Sequence, residues 1–179
     1  MKRGLLISVI IAIIGLGAWF IMRSKEPQLE QNISNTQPTS TVSSTPPAPK
    51  NDLPNLPLTK PDQTKLNAKD LKGKTVLIFF EPDCDHCQRE ANEMQKHLDA
   101  FSKYTVYFFS PAPMDQMQQF FMKYNLSGPN IFYAQTPFNV ILQELGAIPA
   151  PSVYIYTEQG KLVKAFKGET PMEKIVPLL

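Results

Sequence analysis

The sequence predicts an α/β domain, a three-layer α/β/α sandwich on a mixed sheet, preceded by one N-terminal transmembrane helix. Three observations carry this prediction. The run Thr75-Val-Leu-Ile-Phe-Phe80 has the unbroken hydrophobicity of a strand buried on both faces. Runs of that kind alternate with amphipathic helical stretches between residues 53 and 179, as in layered α/β proteins. Near the start, Leu5 to Met22 form 18 residues without a charge.

Taken in order, the first element is that apolar run. As a helix it is about 27 Å long, enough for the hydrocarbon core of a bilayer. A cleaved signal peptide would be shorter in its apolar part and would end on small residues. Here the run closes Ala18-Trp19-Phe20-Ile21-Met22, so residues 1–23 read as an uncleaved anchor, held in the membrane through 5–22. Arg23 and Lys25 nearly balance Lys2 and Arg3, so charge alone leaves the orientation open. Residues 24–52 hold nine Ser or Thr and five Pro, with Leu29, Ile33 and Val42 nearly the only sizeable apolar groups. Such a stretch cannot bury enough surface to offset its ordering entropy, and it reads as a disordered linker of about 30 Å typical reach.

From Leu53 the character is globular, and 53–179 is the folded domain. After the first strand, Cys84, Cys87, Ala91, Met94, Leu98 and Phe101 form one helical stripe, with Gln88, Arg89, Asn92, Glu93 and Lys96 on the wet side. Thr105 to Phe109 is a second strand and Met114 to Tyr124 a helix. Asn130 to Ala134 is a short strand, and Pro137 to Leu145 a helix. Ser152 to Tyr156 and Lys161 to Phe166 form a hairpin around Glu158-Gln159-Gly160. Pro171 opens a last short helix that Pro177 ends.

Charge and composition narrow the function. Outside the first 25 residues the chain carries 14 basic against 16 acidic side chains and no basic stripe, which argues against nucleic acid as a partner. Two cysteines and two histidines exclude a disulfide-dense scaffold and a zinc-finger array. What needs explaining is Glu81-Pro82-Asp83-Cys84-Asp85-His86-Cys87, where the buried strand turns into a helix. Cysteines three apart in a first helical turn come within disulfide reach. The first sulfur also sits by the unpaired N–H groups and positive dipole of the helix start, which favour the attacking thiolate. Cys84 is the natural nucleophile, and Cys87, on the apolar stripe, the resolving thiol. A protonated His86 would stabilise the thiolate, whereas Asp83 and Asp85 oppose it. The alternative for His86 is a solvated residue without a redox role, and His97 lies well past the motif.

The second feature is Ala147-Ile148-Pro149-Ala150-Pro151-Ser152, directly before a strand. Proline at a strand start is ordinary. With a cis bond, however, the preceding backbone would be open to pair with an extended peptide beside the cysteines.

These parts together, Cys84-Asp-His-Cys87 after Val76 to Asp83 and a proline opening Ser152 to Lys161, resemble the thioredoxin superfamily. Residues 56–80 are similar to the start of membrane-tethered thiol-disulfide oxidoreductases of the TlpA/ResA kind. The resemblance implies a thioredoxin-like fold over 53–179, with Cys84 attacking and Cys87 resolving. It makes Pro151, rather than Pro149, the cis-proline, with Ala150 and Pro151 as the substrate-binding backbone. It implies no cofactor beyond the Cys84–Cys87 disulfide and no bound metal. The partners would be protein thiols or disulfides, with a membrane electron donor. The chain would be a single-pass inner-membrane protein, its domain in the periplasm or extracytoplasmic space. Three departures stand out. Ile78 lies where thioredoxin has a buried acid, leaving Glu81, a water or the substrate for proton transfer to Cys87. Asp83 replaces the usual tryptophan, and Gln63 stands in an early turn where glycine is common.

Other functions compete with a reductant. A disulfide-forming oxidant follows if His86 dominates. A copper-binding thioredoxin-like chaperone would use Cys84, Cys87 and a histidine, since soft thiolates suit Cu(I), but such chaperones resemble a CxxxC spacing. A peroxiredoxin-type peroxidase resembles a pattern with threonine and proline ahead of one peroxidatic cysteine, and here Pro82 stands alone. A static disulfide across so short a loop would stabilise little.

Overall fold

The structure is a computed structural model that describes residues 51–179. The anchor expected at 5–22 and the linker, apart from Asn51 and Asp52, lie outside the described residues. Among the described residues no helix is long and apolar enough to cross a membrane.

One seven-stranded sheet organises the domain, in the order β2-β1-β5-β4-β3-β6-β7. β1 (Pro57–Thr59) and β2 (Lys65–Asn67) form an antiparallel hairpin that touches β5 (Ile131–Gln135) through Thr59 and Gln135. β3 (Thr75–Phe79), β4 (Thr105–Ser110) and β5 run parallel, and β6 (Ser152–Tyr156) and β7 (Leu162–Lys167) close the sheet antiparallel. The sheet is mixed, as the sequence predicts.

The unbroken hydrophobicity of β3 has its cause in the two layers that cover it. Val76, Ile78 and Phe80 face one core with Val106, Phe108, Val153 and Ile155, under α1 (Asp85–Met94), α2 (Met114–Lys123) and α4 (Met172–Ile175). Leu77 and Phe79 face the other with Tyr107, Phe109, Tyr154 and Tyr156, under α3 (Phe138–Leu145) and the N-terminal Leu53, Leu56 and Leu58. In a pleated strand successive side chains point to opposite faces, so burial on both leaves no polar position between Val76 and Phe80.

Two departures from the sequence reading are corrections. The stripe helix does not run through to Phe101. α1 ends at Met94, and a 3₁₀ segment (Gln95–Phe101) follows, interrupted at His97 (φ −127°, ψ 19°). The Asn130 amide donates to the carbonyls of Phe101 (2.9 Å) and Tyr104 (2.8 Å), so the chain end that a helix would leave unpaired is satisfied in a turn instead. Phe101 still reaches the core. The β1–β2 hairpin was also not expected. Its strands are only three residues long, and its turn (Lys60 to Thr64) carries Gln63 at φ 66°, in the left-handed region where glycine would have signalled it.

Candidate active site

β3 delivers the chain to the site and a tight turn delivers it to α1. The Phe80 N–H still pairs with the Phe109 carbonyl (3.2 Å), and then the Cys84 N–H folds back on the Glu81 carbonyl (3.1 Å). Cys84 is the N-cap of α1, its carbonyl accepting the first helical bond from the Gln88 N–H (3.0 Å). Gln88, expected on the wet side, is half-buried and fully used. Its Nε2 donates to the Pro82 carbonyl (3.0 Å) and its Oε1 accepts from the Tyr124 hydroxyl (3.0 Å), tying the turn to α2.

Both thiols are free, and they are unequal. Cys84 is half-buried. Its Sγ makes no capping bond to the helix start, and the thiol instead donates to the Ala150 carbonyl at 3.6 Å. Cys87 is 2% exposed. It accepts a bond from the Glu81 N–H (3.4 Å), and burial pushes its thiol far up. The arrangement therefore has one outer thiol open to a partner and one inner thiol kept protonated beneath it.

Across from Cys84 the Ala150–Pro151 peptide is cis. Ala150 packs against both cores, and the Pro151 carbonyl accepts from the Gly168 N–H (2.8 Å). This brings Cys84, Ala150 and Pro151 together, three residues named from the sequence.

Glu81 is half-buried, and desolvation raises its carboxyl above the usual range, with the Ser110 hydroxyl (3.4 Å) and nearby Asp83 as lesser influences. Ile78 is buried in the core, so no acid stands at that position. His86 is exposed, and its Nδ1 lies 2.6 Å from Glu169 Oε2. His97 sits in the bend after α1 and belongs to no part of the site.

Sequence reasoning missed two carboxylates. Glu90 is buried one turn beyond Cys87, accepts from the Thr170 N–H (2.8 Å), and is pushed up to about 7 by desolvation. Its spacing from Cys87, at the flank of the apolar stripe, was the available signal. Glu169 lies in the loop after β7, and nothing in its local sequence marks it. Arg89 grips it at two points, Nε to Oε1 (2.9 Å) and a terminal nitrogen to Oε2 (2.7 Å), holding the carboxyl down at about 2. Among the described residues no group of three or more His, Cys, Asp or Glu is arranged to hold a metal ion.

A model of the AhpC/TSA family matches residues 49–165. The thiol-disulfide oxidoreductase ResA of Bacillus thuringiensis subsp. konkukian is 26% identical over 128 residues, covering 69% of this chain and 72% of that protein. Among solved structures, a secreted Mycobacterium tuberculosis disulfide oxidoreductase homologous to E. coli DsbE superposes with a TM-score of 0.56 at 21% identity, covering 69% of this chain and 93% of that one. StoA from Bacillus subtilis superposes at 0.55 with 16% identity, over 73% of this chain and 98% of that one. The fold is thus thioredoxin-like.

Proposed function

Because the chain belongs to the AhpC/TSA family, we propose that it is a thiol-disulfide oxidoreductase working through Cys84 and Cys87 on protein substrates outside the cytoplasm, chiefly as a reductant. The observation that carries this is the pairing of an outer thiol against the Ala150 carbonyl with a buried inner thiol three residues on. Its curated relatives are named thiol-disulfide oxidoreductases.

The chemistry is two-step exchange. The Cys84 thiolate attacks one sulfur of a substrate disulfide, forming a mixed disulfide and expelling the other sulfur as a thiolate, which takes a proton. Cys87 then loses its proton and attacks Cys84 Sγ, expelling the second substrate sulfur and leaving the Cys84–Cys87 bond. Two electrons and two protons reach the substrate. The backbone of Ala150 and Pro151 aligns an extended substrate segment over Cys84. Glu81 and Glu90, both carboxyls raised by burial, are the groups available to take the Cys87 proton. No cofactor is required, since the sulfurs carry the electrons.

The reducing direction follows the resemblance to thiol-disulfide oxidoreductases of the TlpA/ResA kind. The membrane location rests on the apolar run 5–22, and a membrane electron donor would recharge the pair. Cys84→Ser should abolish turnover of a disulfide substrate, and Cys87→Ser should accumulate a mixed disulfide visible on a non-reducing gel. Full activity of Cys87→Ser would sink the two-thiol mechanism. Equilibration with glutathione fixes direction. A potential near about −270 mV means a reductant, and one near about −120 mV an oxidant.

A further inference from the structure

The loop after β7 is held on both sides. The Gly168 N–H (φ 89°) donates to the Pro151 carbonyl at 2.8 Å, and the Thr170 N–H donates to the Glu90 carboxylate at 2.8 Å. The Thr170 hydroxyl closes the loop on the Gly168 carbonyl at 2.9 Å. Glu169, between them, faces the first two turns of α1 with little freedom.

There it meets two basic side chains. Arg89 holds both carboxylate oxygens, at 2.9 and 2.7 Å, and the same Oε2 lies 2.6 Å from His86 Nδ1. The Arg89 terminal nitrogen is in turn 2.7 Å from Nδ1, so His86, Arg89 and Glu169 form one cluster in which Nδ1 serves either partner according to its tautomer. The cluster lies on the part of α1 that directly follows the outer thiol.

We propose that Glu169 is a positioning residue for the thiol-disulfide reaction, holding Arg89 in a closed cluster with His86 and withholding its positive charge from the Cys84 thiolate. The inference rests on the reading of Cys84 and Cys87 as a working redox pair. Its sign follows from the exchange itself. When two glutathiones reduce the pair, the sulfur–sulfur bond breaks, two electrons enter and glutathione disulfide leaves. Of the two protons the glutathiones bring, one stays on Cys87 and the other goes to solvent wherever Cys84 stands as the thiolate. Only the reduced pair contains a Cys84 thiolate, so a cation set free beside it favours the reduced form and makes the pair more oxidising. Glu169 keeps the pair on the reducing side.

The test is the equilibrium constant of the full-length chain with glutathione at pH 7, read by thiol alkylation. Glu169→Gln should move it about three- to tenfold towards the dithiol, tenfold being about 30 mV. Glu169→Asp, which keeps the charge, should stay within about twofold of wild type. Arg89→Gln leaves Glu169 uncompensated and should move the equilibrium the other way, which gives a second reading should Glu169→Gln fold poorly. In a chain already carrying His86→Ala and Arg89→Gln, Glu169 stands alone, and Glu169→Gln should bring the constant back to within about twofold of wild type, the wild-type and triple-variant clusters both being free of excess charge. An unchanged constant in Glu169→Gln or Arg89→Gln overturns the inference, as does a triple variant whose constant stays more than about threefold from wild type. Absence of any reversible couple in the wild-type chain would instead remove the redox reading on which it rests.

Discussion

Cys84 and Cys87 share one helical turn yet meet different environments, and that difference orders the chemistry. Cys84 is half-buried, with its thiol on the Ala150 carbonyl, whereas Cys87 lies in the core with its thiol pushed far up by desolvation. Alkylation needs an accessible thiolate, so at pH 7 Cys84 in Cys87→Ser should react with iodoacetamide about a hundredfold faster than Cys87 in Cys84→Ser. Equal rates would mean that the inner thiol is not sequestered. Glu90 supplies a second residue-scale prediction. Its carboxyl titrates near 7 in the fold against about 4.5 unfolded, so between these values the folded state holds the extra proton. Stability is greatest below the unfolded value and is lost as pH rises through about 7, by about 3 kcal/mol. Glu81 is raised as well and adds to the same slope, while Glu169, held at about 2, loses its contribution only in strong acid. The Tm of the domain should therefore fall from pH 5 to pH 8. Glu90→Gln can still accept the Thr170 N–H bond and should remove most of that fall. An equally steep profile in Glu90→Gln would place the titrating group elsewhere.

At the scale of the element, the β1–β2 hairpin shows where sequence signals weaken. The central strands β3, β4 and β6 were legible because burial on both faces leaves their middle residues apolar, and α1 was legible from its stripe. The hairpin has neither cue. Its turn is set by Asp62 Oδ1 accepting the Thr64 N–H (2.9 Å) and by Gln63 at φ 66°. A left-handed non-glycine residue costs about 1 kcal/mol, so Gln63→Gly should raise the domain Tm by a few degrees with no change in the glutathione equilibrium. A lower Tm would mean that the glutamine side chain contributes contacts that outweigh its backbone cost. Within the site the same division holds. The spacing of Cys84 and Cys87 at a strand-to-helix junction is a local signal, whereas Ala150 and Pro151 were named from the family resemblance. Glu169 was not, because its meeting with Arg89 joins positions 80 residues apart and depends on how the loop after β7 crosses α1. Gln88 was misread for a similar reason. Helical periodicity puts it on the outer face, and only the packing of α2 brings Tyr124 over it.

Over the whole domain, two cores on opposite sides of one sheet fix the site, and the first described residues are fastened to the β6–β7 turn. The Asp52 N–H donates to the Gly160 carbonyl (2.7 Å), its carboxylate accepts from the Leu162 N–H (3.0 Å), and the Asn51 amide donates to the Lys69 carbonyl (2.9 Å). Gly160 permits the close approach. It sits at φ 71°, and a Cβ added to it would come 2.7 Å from Asn51 Cβ, nearer than real side chains approach. Gly160→Ala should therefore cost about 1–3 kcal/mol, from the left-handed backbone and the clash together. The two causes separate in a double-mutant cycle. Asn51→Gly removes the Cβ that is struck, so the cost of Gly160→Ala in that background should fall to the backbone part, about 1 kcal/mol. Thermal unfolding of the four chains gives the coupling directly. Equal costs in both backgrounds would mean that Asn51 is not seated against the turn and that the domain begins, in energetic terms, at Leu53. A coupling of the expected sign would set the start of the cooperative unit among the described residues at Asn51, with its seat against the turn part of the domain's own stability.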